Sequence, residues 1–226
     1  MEASKAPRTQ PSWLRHFVYR RESWRTTWKL RIGVLVVGIA AVVLTRPFWT
    51  VRLAESLVCN EQAPPSDALL LENFDPDYLV FERAEALRSA GIATRVFVPM
   101  TTYDGLQSSA VETGTADLMA RIARLPGVEG IPIRLIEPIS LNAAYQIRDF
   151  FTRNNIRSVI VVSPGFRSRR SALVYSSVFG PAKISVGCVP VFGTHKPENW
   201  DQSTHGMQAV FEQFLKLQYY RIAILR

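Results

Sequence analysis

The chain has 226 residues, room for one ordinary domain and an extension. Apolar residues make up 47% of it, which excludes a disordered chain and fits a packed core. The net charge is +8, but residues 1–31 hold eight basic and two acidic side chains and so account for +6. The rest of the chain is nearly neutral, which argues against nucleic-acid binding, since that needs a basic face on the folded unit.

The basic segment comes first. PSWLRHFVYRRESWRTTWKL, from Pro11 to Leu30, places Trp13, Phe17, Trp24 and Trp28 near one helical face, with arginines over much of the rest. That pattern suits an amphipathic helix lying on a lipid bilayer. Aromatic and arginine side chains equally suit docking onto an integral-membrane protein. Residues 1–27 are therefore read as a cytoplasmic tail.

IGVLVVGIAAVVL, from Ile32 to Leu44, carries no charged or polar side chain. Thirteen residues are fewer than the roughly 20 a membrane helix needs. The flanks extend them, with Trp28 and Trp49 suited to the two interfaces and Arg31 and Arg46 able to snorkel. The expectation is one transmembrane helix over 28–49, then a linker over 50–65. The alternatives are a cleaved signal peptide and a buried core helix. Against cleavage, TRPFWTVRLAES follows without a small-x-small site. The positive-inside rule puts the tail in the cytoplasm and residues 52–226 on the far side. There Cys59 and Cys188 meet oxidising conditions, and both a disulfide and two buried thiols remain open.

From Ser66 strands and helices alternate. DALLLE (67–72), TRVFVP (94–99), IPIRLIE (131–137), SVIVVS (158–163) and KISVGCVPVF (183–192) read as strands. Helices are predicted over Asp77–Ala90, Ala110–Leu125, Leu141–Asn154, the stretch after Ser163, and Asp201–Tyr220. This order predicts an α/β fold, a Rossmann-like three-layer sandwich with a mostly parallel five-stranded sheet, over residues 66–222. Ligands bind such sheets at the C-terminal strand ends.

Dinucleotide, Walker, nucleophile-elbow and H-E-x-x-H motifs are absent. Two cysteines and three histidines predict no zinc site, and no cofactor is expected. The strand ends hold two candidate motifs. VIVVSPGFRSRRSALVYSSVFG (159–180) places Arg167, Arg169 and Arg170 at a helix start, where they oppose the dipole unless an anion lies between them. Helical geometry lets at most two of them face one ligand. The alternatives are arginines pointing apart and a pair with Glu137 or Glu198. EPISLNAAYQ (137–146) enters the previous helix, with Ser140 or Asn142 as an N-cap, or with Glu137 and Asn142 on a cleft rim.

E-x-x-S-x-N at Glu137, S-P-x-F-R-x-R-R at Ser163, and Trp200, Gly206, Glu212 and Lys216 in the last helix occur in that order. In this combination the chain resembles the ElyC/SanA/YdcF family of bacterial envelope proteins, over about residues 66–220. The resemblance implies a membrane anchor in the bacterial inner membrane, a periplasmic Rossmann-like domain, and a role in envelope maintenance or glycan-precursor metabolism. The departures sit at strand ends. Glu72, Asn73 and Phe74 stand where the family has a glycine pair, VPMTTYDG replaces Ser-Gly-Gly, and Arg167 replaces a histidine. Ala143, Tyr145 and Gln146 replace a threonine, a glutamate and an asparagine.

Two functions follow. One is an accessory or assembly protein of a bacterial membrane complex, docking through Trp13, Phe17, Trp24 and Trp28 on a domain that has lost its chemistry. The other is an envelope enzyme acting on a phosphorylated or lipid-linked glycan precursor. In that case Arg167 and Arg170 hold phosphate, Asn142 and Ser163 orient the substrate, and Glu72 or Glu137 is the base.

Overall fold

The structure, a computed structural model, describes residues 27–72, 78–103, 107–108 and 110–224. It divides into one unit that ends at Thr45 and one that begins at Arg46.

In the first unit, α1 (Trp28–Leu44) buries none of its side chains. The expected span to Trp49 is cut at Thr45, whose N–H still bonds the Ala41 carbonyl at 2.9 Å. The cause is Pro47, which has no N–H to donate and whose ring clashes with the preceding turn. No single helix among the described residues is long and apolar enough to cross a membrane, but Trp28–Leu44 and Arg46–Glu55, taken together as a bent pair, meet that test by length and composition.

The second unit opens with α2 (Arg46–Glu55), so the expected linker carries half of a helix. Ala54 and Leu57 are buried with Phe166, Trp200, Val210 and Leu217. Trp200 Nε1–H donates to the Thr50 carbonyl at 3.1 Å, and Arg46 pairs with Asp201 at 2.9 Å. Residues 57–62 then run as a strap. Gln62 exchanges two backbone hydrogen bonds with Cys188, and Cys59 is disulfide-bonded to Cys188 with Cα atoms 6.5 Å apart. Of the two cysteine alternatives, the structure has the disulfide.

The strands are β1 (Ala68–Leu71), β2 (Arg95–Tyr103), β3 (Gln107–Ser108), β4 (Val128–Ile133), β5 (Ser158–Pro164) and β6 (Ser185–Val191). Five are parallel, in the order β4-β2-β1-β5-β6, while β3 pairs antiparallel with the end of β2. Helices α3 (Tyr78–Ser89) and α4 (Ala110–Ile122) cover one face over Leu69, Leu71, Ile160 and Val162. Helices α5 (Ile139–Arg153) and α6 (Ser168–Phe179) cover the other over Leu70, Val159 and Val161. The molecule is thus α/β with an all-parallel five-stranded core, an order compatible with a Rossmann-like fold. The C-terminal helix is α7 (Thr204–Tyr219).

Two strand limits differ from expectation. Proline predicts a strand end at Pro99, yet β2 continues to Tyr103. Pairing with β1 stops at Phe97, so Pro99 needs a ladder partner only in β4. Strand β4 runs over Val128–Ile133 rather than 131–137 and includes Gly130. A Cβ there would lie 2.7 Å from Met100 Sδ, so the glycine serves close packing inside the strand. Past Ile133, the Gln146 amide brackets Arg134, accepting from its N–H at 2.8 Å and donating to its carbonyl at 2.9 Å.

Candidate functional site

The chain builds β1, β2 and β4 outward on one side, then returns to lay β5 against the other edge of β1. The strand order therefore reverses between β1 and β5, where open α/β sheets hold ligands. Glu72 leaves β1 at that point, with its N–H on the Val162 carbonyl at 3.0 Å. Ser163 is the matching residue of β5. Alternation along the strands puts both side chains on the α5/α6 face.

The carboxylate of Glu72 is only 2% exposed. Ser171 Oγ–H donates to it, the Tyr175 hydroxyl hydrogen-bonds to it, and Arg167 Nε lies 3.7 Å from Oε2. Arg167, Ser171 and Tyr175 are spaced i, i+4, i+8 and so share a helical face. A buried carboxylate is tolerable only with such donors and a paired cation. Tyr175 is driven well above the usual phenol range, first by burial and then by the Glu72 charge. Its hydroxyl stays protonated and acts as a donor.

Arg170 turns away from this carboxylate. Its Nη1 donates to Ser140 Oγ at 2.8 Å and its Nη2 to Gln213 Oε1 at 3.1 Å, while its guanidinium lies over the Tyr220 ring. It therefore ties α5, α6 and α7 together. Burial is the main cause of its lowered pKa, and repulsion from Arg167 adds to it. At the start of α6, Arg169 N–H donates to the Leu57 carbonyl at 3.0 Å, and Ser168 Oγ accepts from Cys59 N–H at 3.0 Å. The strap thus occupies part of the helix terminus that the arginine motif marks as an anion site.

The remaining candidates lie elsewhere. Asn142 does not cap a helix. Its Nδ2 donates to the carbonyls of Ile136, Glu137 and Pro138, holding the loop around the cis Glu137–Pro138 peptide. Helix α5 starts at Ile139 with Pro138 as its N-cap, because the Glu137 carboxylate accepts the Ile139 N–H at 3.3 Å. Glu137 is exposed, whereas Glu72 is buried. Ser163 Oγ is fully buried and has no hydrogen-bond partner among the described residues. Trp28 is exposed on α1, whereas Trp13, Phe17 and Trp24 lie outside the described residues.

Beside the cluster, a cleft of about 530 Å³ opens at the ends of β5 and β6, lined by Arg167, Phe192, Thr194, His195 and Gln213 among others. Gly165 lets the Phe192 ring lie flat against the backbone, since a Cβ there would meet ring carbons at 2.1 Å. His195 Nε2 is 2.7 Å from Ser203 Oγ, the N-cap of α7. Sequence reasoning did not single out Ser171, Tyr175, Gln213 or His195. The i, i+4, i+8 row from Arg167 is the signal for the first two. Nothing local marks the others, which reach the site through tertiary packing. Among the described residues, no group of three or more His, Cys, Asp or Glu is placed to hold a metal ion.

Compared with known proteins, the chain matches no family model, no curated protein and no solved structure.

Proposed function

We propose that this protein is a single-pass, membrane-anchored accessory protein of a bacterial membrane complex. Its domain faces the periplasm, keeps a Rossmann-like frame, and has filled its own anion site. The observation that carries this is the Glu72 carboxylate, which occupies the position between Arg167 and the first turn of α6 where a ligand anion would sit. An internal carboxylate satisfied by two hydroxyls and an arginine is poor in both roles the chemistry needs. It is neither a free base nor a vacant anion pocket.

Two further features support the reading. From Ile32 onward helix α1 is apolar on every side, and none of its residues is buried, which suits lipid rather than water. The disulfide suits an oxidising compartment. The test is purification of the full-length protein from its own membrane in mild detergent. Stoichiometric integral-membrane partners, lost when Trp13, Trp24 and Trp28 become alanine, are the expected result. A clean preparation without partners contradicts it.

The cleft beside Arg167 favours a second reading, an envelope enzyme acting on a phosphorylated or lipid-linked glycan precursor. Turnover of such a compound, abolished by Arg167→Ala, would establish that reading in place of the first.

A further inference from the structure

Helix α7 carries an exposed apolar stripe. Met207, Phe211, Leu215 and Tyr219 follow at intervals of four, and Ile222 continues the row in the π-helical turn after Tyr220. All are exposed, Phe211 by 52%, Leu215 by 67% and Tyr219 by 53%. Val210 and Leu217 bury the opposite face of α7. Within the stripe, Phe211 meets the Trp200 ring at 5.9 Å and Tyr219 the Tyr220 ring at 5.8 Å, yet both keep about half their surface exposed. Single exposed apolar residues need no explanation, but a row this long does.

The charges beside the stripe say what covers it. Glu212 and Lys216, one turn apart and paired with each other, run along one edge of the row. An antiparallel pairing of two α7 helices about a two-fold axis near the middle of the row is complementary to itself. It sets Phe211 of one copy against Leu215 of the other and Met207 against Tyr219. The edge then faces its own counterpart, with Glu212 of one copy opposite Lys216 of the other. A parallel or heterologous pairing does not give this match. Five large, half-exposed side chains per copy offer roughly 500 Å², or about 1,000 Å² for the pair, the lower bound for a specific interface. A two-fold contact uses the same patch on both copies, as this row does.

We infer that α7 is a self-association face and that the protein forms a two-fold dimer through it. The inference goes beyond the proposed accessory role and does not depend on it.

The test uses the full-length protein in membranes and in detergent. The native cysteines are bonded to each other and no described cysteine is free, so Leu215→Cys supplies the reactive thiol. A short bis-maleimide is expected to join position 215 to itself and give a homodimer, whereas a cysteine at exposed Arg121 on α4 gives none. By light scattering, wild type is expected to be a dimer. Glu212→Lys should weaken association by about fivefold, because the symmetric contact repeats the repulsion, and adding Lys216→Glu should restore it. Leu215→Arg should weaken it by about a hundredfold or more. A monomeric wild type, crosslinking of position 215 only to another protein, or a charge swap that fails to restore association overturns the proposal.

Discussion

Glu72 shows how one residue changes what a site can do. A glycine at the end of β1 leaves room for a ligand anion, and a glutamate brings its own. Removing the carboxylate leaves Arg167 and Arg170 as buried charges with less compensation. Glu72→Ala is therefore expected to lower stability by about 3 kcal/mol in chemical denaturation. Ser171→Ala removes one donor from a buried carboxylate and should cost about 1–3 kcal/mol, with no new apolar cavity to explain it. A second carboxylate reports on pH. Asp67 Oδ2 accepts the N–H groups of Arg157 and Ser158 at 2.8 and 2.9 Å, and these bonds, the Arg157 one foremost, hold its pKa below the usual value. Because the folded value is depressed, the contribution is fully present above the unfolded value near 3.9 and is lost as pH falls through the folded one. Stability of Asp67→Asn should accordingly vary less than wild type as pH drops below about 4. An unchanged pH slope would show that the bonds do not favour the charged form.

At the scale of elements, most of the frame is legible from the sequence. Strands β1 and β5 coincide with continuous β-branched or leucine runs, because both faces of a parallel sheet are covered and no alternation is needed. Helices α3 and α5 are near their expected limits. What sequence reasoning misses depends on long-range contact. The sequence divides helix α2 between a membrane span ending at Trp49 and a linker starting at Thr50, yet Trp200, 150 residues away, binds its backbone. Strand β4 is expected to start only at Ile131, and the place of Gly130 inside it becomes clear from the Met100 side chain packed against it. At the site, the arginine motif is visible but its partners are not. Arg170 serves three helices, and the i, i+4 row names Ser171 and Tyr175 without showing that Glu72 faces them. The strap gives this scale its own test. Removing the 129-residue closure between Cys59 and Cys188 with a double serine variant should cost about 2–5 kcal/mol. Trp200 is buried over α2, so Trp200→Ala should cost about 3–5 kcal/mol by denaturation. A near-neutral effect of either would mean that α2 and the strap are not part of the cooperative domain.

For the whole molecule, the basic tail, the apolar helix and the nearly neutral domain form an ordered series along the chain. That series supports a membrane anchor, and extraction tests it. The full chain should stay with membranes in alkaline carbonate, whereas a variant with Leu35, Val36 and Ile39 replaced by lysines should be released. If the domain already holds its own anion, inorganic phosphate has no place to bind in the full-length protein. Wild type should then show no phosphate-dependent rise in thermal stability. Glu72→Ala should show a clear rise that disappears when Arg167→Ala is added. A wild-type protein stabilised by phosphate through Arg167 would mean that the arginine site is open with Glu72 in place.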